Sequence, residues 1–145
     1  METLSDVLKD PVRTRLVVAD GARMIEEEVN GKGGLSGMAL RAGYKTVKAI
    51  KPGIIEEALG HLLPDFAPAV DPYFVKAHAT GDVRGYFDRN SNEIADALLS
   101  VTDRKGERAK NRVIKKAYDA LRPQAKKHTA EAMPRLAQLI QKHVK

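Results

Sequence analysis

Residues 31–53 read Gly-Lys-Gly-Gly-Leu-Ser-Gly-Met-Ala-Leu-Arg-Ala-Gly-Tyr-Lys-Thr-Val-Lys-Ala-Ile-Lys-Pro-Gly, and their reading sets the fold class. A glycine-rich start, one amphipathic run and a Pro-Gly stop describe a single helix with both ends marked. At about 100° per residue, Arg41, Lys45 and Lys48 share one basic stripe. Leu35, Ala39, Ala42, Gly43, Thr46, Val47, Ala49 and Ile50 gather on the opposite half. Small side chains let another helix approach closely, so this face is expected to be the buried one, with the cations on a solvated back. In a bilayer, Ala39-x-x-x-Gly43 would suggest helix pairing, but the Arg and Lys stripe forbids a spanning helix.

The start of the stretch carries Gly31, Gly33, Gly34 and Gly37, with Lys32 and Ser36 beside them. Unpaired N–H groups at a helix start attract anions. The spacing is neither that of a P-loop nor G-x-G-x-x-G, and no strand precedes it, so a flexible turn between helices is the favoured reading.

Upstream, Thr3-x-x-Asp6 can cap one turn, and Asp10-Pro11 supplies an N-cap oxygen followed by a residue that needs no N–H there. Val12, Leu16, Ala19, Ala22, Ile25 and Val29 then recur at helical spacing. Glu26-Glu27-Glu28 opposes the dipole at the end of that helix, and a cation such as Lys32 is expected to offset it. Downstream, Ile54 to Leu63 reads as a short apolar helix ending at Pro64. Pro64, Pro68 and Pro72 each disfavour a helical predecessor, so breaks are expected there, with a restart at Asp71-Pro72 that runs to Gly81. Phe66, Tyr73, Phe74, Tyr86 and Phe87 form a second core patch. Asn90-x-x-Glu93 resembles a capping box that opens the next helix. A helix from about Glu107 to Leu121 follows, then a last one that starts at Pro123 and runs on, kinked, through Pro134.

Apolar positions recur with a helical period and no stretch alternates convincingly. The expected fold is all-α, a single-domain orthogonal or irregular bundle of six to eight helices over residues 1–145. No apolar run approaches the ~18 residues of a membrane span, and the first ten residues hold two Asp and one Glu, unlike a signal peptide. The absence of cysteine rules out disulfides and thiolate chemistry and fits a cytoplasmic protein.

Charge is divided unevenly. Up to Asp103 there are 12 Lys and Arg against 16 Asp and Glu; from Arg104 onward there are 13 against 3. A basic third of this kind points to an anionic partner. Candidate anion-binding residues are Lys32, Arg41, Lys45, Lys48, Arg108, Arg112, Lys115, Lys116 and Lys127. Glu57 and His61 lie one turn apart but make an incomplete metal set, and no third ligand follows at a suitable spacing. His61, His78, His128 and His143 are scattered, and the serines sit in no triad pattern. No catalytic residue, metal or cofactor is therefore assigned.

Lys32-x-Gly-Leu-Ser-Gly, Ala42-Gly-Tyr-Lys, Val47-Lys-Ala-Ile-Lys-Pro-Gly, Leu121-Arg-Pro and Lys126-Lys-His together resemble a family of small, all-helical, uncharacterised bacterial proteins. The resemblance implies a helical cytoplasmic domain and transfers no activity. Two function classes follow. The first is a non-enzymatic interaction or scaffold protein that binds itself or another protein. The second binds an anionic surface, nucleic acid or acidic lipid, through its basic third.

Overall fold

The computed structural model describes residues 1–145. Eight helices and no strand make up the chain: α1 (Leu4–Val7), α2 (Pro11–Asn30), α3 (Gly34–Lys48), α4 (Ile54–Thr80), α5 (Val83–Arg89), α6 (Ser91–Glu107), α7 (Arg112–Glu131) and α8 (Met133–His143). The all-α expectation holds. The first two helices start where their caps require. Thr3 and Asp6 close a reciprocal capping box on α1, and the Asp10 carboxylate accepts from the N–H groups of Val12 and Arg13 at the head of α2.

One core runs through α1, α2, α4, α5, α6 and α8. Val7, Val17, Val70, Phe74, Phe87, Ile94, Met133 and Ile140 are its largest fully buried side chains. Phe74 and Phe87 belong to the expected aromatic patch, with Tyr73 and Tyr86 packed on its edge. Leu59 is buried, whereas Leu98 is only partly so.

α4 departs from the sequence expectation. It continues through Pro64, Pro68 and Pro72 without interruption, so the short helix and the restart are one element of 27 residues. The reason lies in their spacing of four, which places all three rings on one exposed line. Each proline frees the carbonyl four residues earlier, at Gly60, Pro64 and Pro68, and these lie on the same wet side where water can bond them. Gly60, one turn below Pro64, has nothing near the place of a Cβ. Leu59, Leu63, Ala67, Val70, Phe74 and Ala77 hold the other face in the core.

The C-terminal helices exchange their expected roles. Pro123 lies inside α7, while Pro134 falls in the first turn of α8, after a break at Ala132. Pro is well placed in that first turn, because the N–H it lacks would have no helical partner. The Asn90 capping box also does not form. Asn90 occupies the cap position of α6, but its amide donates back to the Tyr86 carbonyl at 2.9 Å.

α3 is turned about 100° from the expected orientation. Only Gly37 is buried on it, and Leu40, Gly43, Tyr44 and Val47 make its inner stripe. Gly37 lies against the Lys32 backbone, and Gly43 lies under Leu121 of α7, so close that a Cβ there would sit 2.7 Å from Leu121 Cδ1. Leu35, Met38, Ala39, Ala42, Thr46 and Ala49 face outward. α2 also differs from the expected face: Val12 and Leu16 are exposed, while Val17, Gly21, Ala22 and Val29 are buried. No helix is long and apolar enough to cross a membrane.

Candidate functional site

α7 is an outer helix with no buried residue. Polar contacts hold it against α6. Asp103 accepts two hydrogen bonds from Arg122, at 2.8 and 3.0 Å, and a third from the Tyr118 hydroxyl. Tyr118 also shares a 2.8 Å hydrogen bond with Thr102, and its ring covers Gly106. The guanidinium of Arg122 is the main reason the Asp103 carboxyl titrates below its ordinary value, with Tyr118 adding to it; burial pushes the Tyr118 hydroxyl upward.

This anchoring sets which cations stay free. Lys32 is 90% withdrawn from solvent and pairs with Glu28 at 3.0 Å and Glu131 at 3.5 Å, a bridge across the end of α2 of the kind its acidic run calls for. Arg41 donates to the Lys32 carbonyl, and Lys48 pairs with Glu26 at 2.7 Å beside the Tyr44 ring. These three candidates are bound internally, and the basic stripe expected on α3 does not exist as a free surface. Glu27 and Glu28 are met by Arg135, and Asp20 by Lys142 and His143. Glu57 is paired with Lys51 at 2.7 Å.

Lys45, Arg108, Arg112, Lys115, Lys116 and Lys127 remain exposed and form no ion pair. Arg112, Lys115, Lys116 and Lys127 occupy an arc of about 120° on α7, where Asp119 is the acid among them. Arg104, Arg108 and Lys110 extend the same run of unpaired cations into the α6–α7 turn.

Behind this edge lies a different feature. A cavity of about 300 Å³ opens between α2, α3, α4, α6, α7 and α8, and 16 of its 22 lining residues are hydrophobic. Gly21, one of the lining residues, lets Leu59 of α4 come close, since a Cβ there would sit 3.2 Å from Leu59 Cδ1. His128 reaches this cavity from the last turns of α7, with its side chain 90% buried and neither ring nitrogen hydrogen-bonded. Glu131 lies 3.4 Å from Nδ1 but is misdirected for a hydrogen bond. His128 was not singled out as a site residue from the sequence. The available signal was its register: Ile114, Tyr118, Leu121, Ala125 and His128 fall on one inward stripe of α7.

The fold is that of a small all-helical protein, with unpaired cations on α7 and an apolar cavity between its helices. The chain belongs to a family of unknown function, DUF6918, whose model matches residues 4–144. No curated protein and no solved structure matches it.

Proposed function

We propose that the protein is a non-enzymatic binding module that engages phosphate-bearing polymers through the α6–α7 edge. The observation that carries this reading is the sorting of charge. Lys32, Lys48, Arg135 and Lys142 are paired with the protein's own carboxylates, whereas most of the cations from Arg104 to Lys127 are not. Clustered, unpaired Lys and Arg attract phosphates regardless of sequence. Tyr118 is turned inward and no other aromatic lies on that helix, so the edge offers backbone contacts without base stacking. A bacterial cytoplasm is the setting proposed with it.

Titration of duplex DNA, single-stranded RNA and acidic liposomes near 50 mM salt tests the reading. Duplex binding is expected to be insensitive to base sequence, and four phosphate contacts lose roughly two decades of affinity between 50 and 200 mM salt. The triple reversal Arg112→Glu, Lys115→Glu, Lys116→Glu is expected to abolish binding with the helical spectrum intact. Absence of binding at tens of micromolar protein refutes the proposal; binding to liposomes alone replaces the polymer with an acidic lipid surface.

A second reading, an interaction or scaffold protein that docks a second copy or another protein, is favoured by the outward face of α3. Leu35 is 85% exposed and Met38 59% exposed there. Sedimentation of the wild type and of Leu35→Glu reads self-association directly.

A further inference from the structure

Independently of the cationic edge, we infer that the apolar cavity is a binding site for a small, uncharged, largely hydrocarbon molecule bearing one hydroxyl or carbonyl group, with His128 as its polar contact. Size comes first. The cavity is about 300 Å³, twice the ~150 Å³ engineered cavity that holds benzene, so roughly twelve non-hydrogen atoms fit. Val29, Leu40, Leu63, Leu99, Leu136 and Leu139 belong to its wall, and Glu28, Lys32, Thr102 and Thr129 are the polar residues that line it besides His128. Water gains little in a space of that character, which favours an apolar occupant.

The polar end is defined by His128. Buried polar groups are almost always hydrogen-bonded, and a buried ring with both nitrogens unpartnered is an exception that calls for a partner. A neutral imidazole offers one donor and one acceptor, which suits a hydroxyl or a carbonyl. Charge decides against a carboxylate head. Glu131 lies beside the ring, and Glu28 and Lys32 share the cavity wall with it; Lys32 is already paired with both acids, and Arg135 with Glu28. A second carboxylate beside Nδ1 would face Glu131 at close range with no free cation to answer it. The site therefore selects an alcohol or ketone over the matching acid.

Decan-1-ol and decanoate are the probes, titrated into the full chain and read by NMR of the histidine side chains and by thermal shift. Decan-1-ol is expected to bind at one site, to move the His128 ring signals while leaving those of the exposed His61 and His78 in place, and to bind at least tenfold tighter than decanoate. His128→Phe keeps the ring but removes both nitrogens, and is expected to weaken decan-1-ol at least tenfold. Leu139→Trp fills the cavity from its half-buried rim and is expected to eliminate binding. The chain has no other tryptophan, so the fluorescence of that variant also reports that it is folded. The inference is overturned if decan-1-ol leaves His128 unmoved up to its solubility limit, if both variants bind it as the wild type does, or if decanoate binds more tightly.

Discussion

Asp103→Ala is expected to release α7 while leaving the rest of the molecule folded. α7 buries no side chain fully, and its grip on α6 depends on the carboxylate that receives Arg122 and Tyr118. Hydrogen bonds to a charged group contribute about 1.5–3 kcal/mol when well shielded. Here the Arg122 and Asp103 side chains are 40% and 38% exposed, and exposed ion pairs contribute only ~0.2–1 kcal/mol. Tyr118 is the more sheltered partner, so the whole cluster is worth about 1–2 kcal/mol. Lost from α7 alone, that raises its local opening about 5–30-fold. Native-state hydrogen exchange reads this directly. Amides from Ile114 to Leu121 are expected to lose protection by that factor, while Val70 to Ala77 in α4 keep theirs. Equal loss in both helices, or none in α7, refutes the account of how α7 is held. The pH dependence has a fixed sign. Held by Arg122 first and Tyr118 second, the folded Asp103 carboxyl titrates below its ordinary value of 3.8. Its contribution is therefore complete above that value and is lost as pH falls below it through the folded pKa.

Three further outcomes test the packing. Leu59→Ala is expected to cost ~2–5 kcal/mol in equilibrium denaturation, through lost burial and the space left behind; a change below about half a kcal/mol means that Leu59 is not in the core. Pro68→Ala restores an N–H able to reach the Pro64 carbonyl on the exposed side of α4, so chemical denaturation is expected to show stability unchanged within ~1 kcal/mol or raised; a loss above ~2 kcal/mol contradicts the solvent-facing placement of the prolines. Glu2 ties the two chain ends. Arg13 first, and then the Lys145 backbone N–H, hold its carboxyl down to about 2 from 4.5. Stability from this contact is full above pH about 4.5 and lost as pH falls toward 2. NMR titration of the Glu2 carboxyl is expected to show that depressed midpoint, and an ordinary one contradicts the closure of the ends.

The sequence by itself determined the helical class and several helix starts, because those depend on neighbours along the chain. Asp10-Pro11 and Thr3-x-x-Asp6 satisfy their own backbone within one turn, and no distant residue can change that chemistry. It also determined that charge concentrates after Arg104. Tertiary structure alone decided which face of α3 turns inward, since alanines and glycines satisfy an exposed face as readily as a buried one. The choice fell to the larger Leu40, which lines the apolar cavity, with Gly43 held under Leu121 on either reading. It decided the fate of the prolines too: the same residue interrupts a helix or rides through it according to whether the freed carbonyl meets water, and only the packing of α4 tells which. The division of cations into paired and free, and the burial of His128 without a partner, required acids and apolar walls from helices remote in sequence. A helical repeat specifies which residues share a face; what that face meets is settled only when the other helices arrive.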